Sequence, residues 1–222
     1  MKNLLLIFIV STFLCGSCQN SDFKKRIQTD YEQSLQFFKT EMVSHFPVTI
    51  PDSSSYRSSA PIKDDLKLFG FGVDGILLWK TYSESQYEEI SSKFIKLSNN
   101  FYSSNDSALL LVFSYCNEIE IDGEVFDNQE PLERQELARH NLTTATSLPI
   151  PLFEMDDHKC NTMSGLTKDF IIYVLEAKPG RYIDDSYLEE CDCLPEKWKH
   201  GYSKGVAMSD EKQVVIYWIS VW

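Results

Sequence analysis

Three groups of residues have the types and spacing to do chemistry. The first is Gly201-Tyr202-Ser203-Lys204-Gly205, a formal G-x-S-x-G match with His200 beside it. In hydrolases this pattern marks a sharp strand-to-helix turn that projects the serine oxygen, with the triad acid and histidine later in the chain. Here an apolar terminal run follows, and no histidine comes after Ser203. The expectation is a glycine-bounded turn feeding a strand, and a Ser203 hydrolase is the alternative. The second group is Cys116, Cys160, Cys191 and Cys193, with His158. His158 and Cys160, like Cys191 and Cys193, stand two apart; on strands each pair would point to one side and together make a Cys₃His zinc set. In an oxidising compartment the same four cysteines pair as disulfides. Cys191 and Cys193 are too close to join each other comfortably, so the favoured pairing sends one to Cys116 and the other to Cys160. Zinc and free thiols stay open as alternatives. The third group is Lys197, Trp198, Lys199, His200, Tyr202 and Lys204, a basic and aromatic cluster suited to an anionic glycan, a phosphate or an acidic partner. The competing reading is a solvated loop whose Trp198 tucks into the core. The acids Glu118, Glu120, Asp122, Glu124 and Asp127 have the oxygen ligands calcium prefers but not EF-hand spacing, which favours a solvated strand face. The sequence calls for no cofactor.

What positions these groups starts at the N-terminus, MKNLLLIFIVSTFLCGSC. Lys2 is a positive n-region, and Leu4 to Leu14 form an apolar segment shorter than the roughly twenty residues that span a bilayer. Gly16 and Ser17 then precede Cys18. This arrangement resembles the lipobox of bacterial lipoproteins, with Cys15 in the place usually held by an aliphatic residue. The resemblance implies cleavage after residue 17 and acylation of Cys18 with palmitate-class chains. Gln19, where Asp would favour inner-membrane retention, implies the outer membrane, and the loose box is similar to those of Bacteroidota. Asp106-Ser107-Ala108 resembles the short O-glycosylation motif of the same group.

Removing seventeen of the 222 residues leaves 205, and loss of Lys2 with no acid takes the net charge from −12 to −13. That length buries a good core in one unit. The acidity argues against a nucleic-acid partner and against electrostatic docking on anionic lipid.

Along the chain, Asn20 or Ser21 caps a helix on which Phe23, Ile27, Tyr31, Leu35, Phe38, Met42 and Phe46 form one stripe, ended by Pro47. The stripe serves either a partner or the protein's own sheet, and the second is favoured. Pro51 to Pro61 reads as a polar loop. Leu66 to Val73 and Ile76 to Tyr82 flank Asp74-Gly75 as a hairpin. Ser83 and Gln86 open a helix carrying Tyr87, Ile90, Phe94, Leu97 and Phe101. Strands follow at Ala108 to Cys116, at Glu118 to Phe126 as a hairpin around Asp122-Gly123, at Asp169 to Ala177 and at Val214 to Trp222, with a short helix from Pro131 to His140 and loop over 141–168. The last strand is apolar on both faces and should be central.

The predicted class is α+β, a mainly antiparallel sheet with a long N-terminal amphipathic helix and one or two further helices. The predicted organisation is a signal peptide over 1–17, then lipidated Cys18 with helix and Ser/Pro-rich loop over 18–62, then an α+β domain over 63–222, with 18–222 one globular unit. The functional expectation is a membrane-anchored cell-envelope lipoprotein that binds or assists an envelope protein or glycan. The alternatives are an envelope hydrolase using Ser203 or a zinc site, and a periplasmic immunity or inhibitor protein.

Overall fold

A strand that is apolar on both faces needs cover on both, and residues 214–222 receive it. The computed structural model describes residues 23–51, 54–60, 74–106, 108–112, 118–121, 124–127, 147–153, 159–160, 162, 164–188 and 194–222. Among these, the helices are α1 (residues 23–37), α2 (Thr40–Val43) and α3 (Glu84–Leu97), with 3₁₀ turns at Asp185–Tyr187 and Glu196–Trp198. The strands are β1 (Ser54–Ser58), β2 (Asp74–Thr81), β3 (Asn100–Ser103), β4 (Leu109–Leu111), β5 (Glu118–Ile121), β6 (Glu124–Asp127), β7 (Leu148–Ile150), β8 (Lys159–Cys160), β9 (Phe170–Pro179), β10 (Gly201–Ser209) and β11 (Val214–Val221). Six of them form an antiparallel sheet in the order β1-β2-β11-β10-β9-β3. Strands β4 and β7 pair in parallel, and β5 pairs antiparallel with β6 and parallel with β8. The class is α+β with a mostly antiparallel sheet, as the sequence predicted.

Two cores lie against the two faces of the large sheet. On one face, Ile76, Leu78, Val206, Met208, Val215, Tyr217 and Ile219 meet Tyr31, Phe38, Met42 and Phe46 from the first two helices and Tyr87 and Phe94 from α3. On the other, Ile172, Val174, Ala207, Ile216 and Trp218 meet Leu109, Leu111, Ile150, Leu152 and Phe153. From Tyr31 onward the N-terminal stripe is therefore spent on the protein's own sheet. Each such buried side chain contributes about 1.5–3 kcal/mol, against a few tenths for an exposed contact such as Gln28 to Glu32, so burial and not surface pairing fixes α1. The helical run breaks at Phe38 and Lys39 before α2, and Phe23 is left 53% exposed. In α3 the expected capping box closes at Ser83 and Gln86, and the Tyr87 hydroxyl fastens the helix to Asp210 at 2.7 Å.

Several expectations are corrected. Asp74 and Gly75 are not a hairpin turn: both lie within β2 and pair with Val221 and Ser220. The partner of residues 76–80 on the other side is β1, inside the stretch read as a polar loop; its polar residues suit an edge strand, while Tyr56 packs on the core. The α3 stripe stops at Phe94: Leu97 is 58% exposed, and Phe101 belongs to β3, not the helix. Strand β7 falls within residues expected to be loop. The Glu118 to Phe126 hairpin is observed, with Ile121 opposite Glu124. Leu66 to Val73 and the 131–140 helix lie outside the described residues.

Candidate functional site

The G-x-S-x-G stretch forms neither a turn nor an elbow. Gly201 to Gly205 open β10, which continues straight to Ser209. Positions 201, 203 and 205 share one face of that strand, and two tryptophans fill it. A Cβ on Gly205 would stand 2.3 Å from the indole of Trp218 and 2.2 Å from the Tyr173 carbonyl oxygen; one on Gly201 would stand 2.9 Å from the indole of Trp222. Between them Ser203 is fully buried, and its Oγ accepts a hydrogen bond from Trp218 Nε1 at 3.4 Å. The two glycines and the serine are small because they form a trough for indoles. Packing, and not nucleophile geometry, accounts for the motif.

The basic and aromatic cluster is dispersed by the same strand. Trp198 and Tyr202 are buried, with Trp198 against Trp222 and its carbonyl accepting from Trp222 Nε1 at 2.6 Å. Lys197 lies over the Trp198 ring at 5.0 Å, Lys199 pairs with Glu196 at 2.9 Å, and His200 Nε2 accepts from Arg181 at 3.1 Å. Tyr202 turns to the helical face of the sheet, and so does Lys204.

There it joins residues that the sequence did not single out. Opposite Lys204 and Gly205 the β9 register shifts by one residue, so Leu175 is a bulge between Val174 and Glu176. The extra residue puts Glu176 on the same face as Leu175 and beside Lys204, an arrangement that bulges make possible by re-aiming a side chain. Glu176 Oε2 accepts from the Tyr202 hydroxyl at 2.6 Å and lies 3.3 Å from Lys204 Nζ, while Lys178 pairs with Glu176 Oε1. Lys204 Nζ also donates to the Glu41 carbonyl. Burial raises the Glu176 pKa, but hydrogen bonds from Lys178, Tyr202 and Lys204 outweigh it and hold the carboxyl down at about 2.

Around this triad a groove of about 310 Å³ is lined by Ser44, His45, Lys93, Phe94, Leu97 and Leu175 in addition to Glu176 and Lys204. His45, two residues beyond the end of α2, donates from Nε2 to the Trp218 carbonyl at 2.9 Å. Burial lowers its pKa to about 3, so it is a neutral imidazole at pH 7, and Nδ1 has no partner among the described residues. The groove thus offers two lysines, one ionised carboxylate, a neutral histidine and an apolar wall from Phe94, Leu97 and Leu175. That combination suits binding of a small group carrying both charge and apolar surface. Its helical and strand contributors meet only through tertiary packing and a bulge, which is why sequence spacing does not reveal it.

Of the cysteine and histidine set, only the backbone of Cys160 is described, on β8 paired with Ile119 of β5; Cys116, His158, Cys191 and Cys193 lie outside the described residues. Among the described residues, no three His, Cys, Asp or Glu side chains gather as a metal site, and no helix is long and apolar enough to cross a membrane. Strands β5 and β6 carry the acidic stretch of 118–127. No protein-family model, curated protein or solved structure matches the chain.

Proposed function

We propose that the protein is a cell-envelope lipoprotein, held on the outer membrane by acyl chains on Cys18 and acting by binding rather than by catalysis. The observation that carries the reading is the N-terminal sequence: a short apolar segment after Lys2, then Gly16, Ser17 and Cys18. Two or three acyl chains at about 0.8 kcal/mol per buried methylene hold such a protein on its bilayer essentially permanently. In this reading only residues 19–22 separate Cys18 from the helix seen over 23–37, so the body works at the membrane surface. The four remaining cysteines pair as two disulfides. The groove bounded by Lys93, Glu176, Lys204 and His45 is the surface that takes an envelope ligand or partner.

The binding role is favoured over a hydrolase because Ser203 is spent on Trp218 inside the sheet. Growth with a clickable palmitate analogue tests the anchor. The wild type takes up the label and stays on membranes through a carbonate wash, and Cys18→Ser loses both. Label retained by Cys18→Ser would contradict the proposal.

A further inference from the structure

Close behind Cys18 the sequence runs Asp22, Phe23, Lys24, Lys25, Arg26, so three consecutive cations follow a single acid. Phe23, Lys24, Lys25 and Arg26 are consecutive and all exposed, Phe23 by 53%, with the Arg26 guanidinium 5.7 Å from the Phe23 ring centre. The next acids described on α1 are Asp30 and Glu32, one to two turns further along. A second apolar residue is brought to α1 by two hydrogen bonds. The Tyr31 hydroxyl donates to the Pro47 carbonyl at 2.7 Å, and the Ile50 amide donates to Gln28 Oε1 at 2.8 Å. The 47–50 segment therefore lies along α1 between Tyr31 and Gln28, and Val48 within it is 85% exposed. Gln28 is five residues from Phe23, about 7.5 Å along a helix axis.

We infer that this end, Phe23 with Lys24, Lys25, Arg26 and Val48, lies in the headgroup layer of the bilayer that holds Cys18 and docks on its anionic phospholipid. The inference rests on the proposed anchor at Cys18. Five residues fully extended reach at most about 18 Å, so Phe23 stays within that distance of the lipidated residue. Cations flanking exposed apolar side chains are the composition of interfacial segments. At physiological salt the Debye length is about 8 Å, so distant acids are screened, while Asp30, one turn from Arg26, subtracts from the attraction without cancelling three cations. The acyl chains supply retention; the basic and apolar end supplies orientation, turning α1 toward the bilayer.

The test uses the mature acylated protein in phosphatidylcholine vesicles with and without phosphatidylglycerol. Phe23→Trp and Val48→Trp each add one indole to the four native tryptophans, and quenching by brominated acyl chains is read against the unmodified protein. Both added indoles are expected to be quenched in anionic vesicles. Each basic residue is equivalent to a factor of about five, so Lys24→Gln with Lys25→Gln and Arg26→Gln should lower the docked-to-undocked ratio on the order of a hundredfold at low salt. Protein that floats with the vesicles but leaves both indoles unquenched overturns the docking alone. Protein that fails to float overturns the anchor and the docking with it.

Discussion

The indole of Trp218 lies across Gly205, its cross-strand partner in the β10–β11 ladder, closely enough that the glycine cannot carry a side chain. A methyl group there would meet a fully buried tryptophan and the Tyr173 carbonyl, neither free to move. Gly205→Ala should cost about 3 kcal/mol or more in urea unfolding, the upper range for overpacking. Ser203→Ala, which removes only the acceptor for Trp218 Nε1, should cost about 1–2 kcal/mol. A Gly205→Ala protein as stable as wild type would remove the packing explanation of the motif.

His45 links stability to pH. Its unfolded-state pKa is near 6.5 and its folded value about 3, so between them the unfolded chain binds the extra proton and stability rises with pH. This contribution is complete above about 6.5 and falls by about 1.4 kcal/mol per pH unit as the solution is acidified toward 3. Comparing urea unfolding at pH 7.5 and 5.5 isolates it: His45→Gln keeps a donor for the Trp218 carbonyl and should lose less stability than wild type across that interval. Equal losses would mean that His45 is not held neutral.

Glu176 and Lys204 answer to acid in a lower window. The Glu176 contribution is present above its unfolded pKa near 4.5 and disappears as pH falls through about 2. Glu176→Gln should cost about 1–2 kcal/mol at pH 7, and circular-dichroism melts should show that gap closing between pH 4.5 and 2. Lys204→Glu sets two carboxylates side by side on a side chain only 12% exposed and should cost about 2 kcal/mol, whereas Lys199→Glu, on an exposed pair, should stay within about 0.5. If Lys204→Glu were equally silent, the groove would not be held by this pair.

The last residue closes the sheet. Trp222 exchanges two backbone hydrogen bonds with Gly201, at 3.0 and 3.1 Å, and packs its indole against Trp198. Deleting Trp222 alone should cost about 3–5 kcal/mol, a loss of 10 °C or more in calorimetry.

What the sequence made legible follows from the range of the forces involved. Val214 to Trp222 reads as a central strand because both faces are apolar, and it is one. The α3 capping box is local and is found in place. Asp74-Gly75 misleads because turn chemistry is also local: the β11 strand, over 130 residues later, captures both residues as ladder partners. Ser54–Ser58 has no strand composition, and edge pairing with β2 alone makes it one. The Leu175 bulge leaves no trace in hydrophobic periodicity, so the Glu176, Lys204 and His45 groove was not legible at all. The basic cluster read from residues 197–204 was legible as composition but not as surface, since the tryptophan and the tyrosine face inward.

The covalent state of Cys18 is read by intact mass spectrometry of the mature protein extracted from membranes, before and after thiol alkylation. The predicted result is a chain beginning at Cys18, heavier by two or three acyl chains, with Cys116, Cys160, Cys191 and Cys193 closed to alkylation until reduced. A chain that begins elsewhere, or that carries no acyl group, would contradict it.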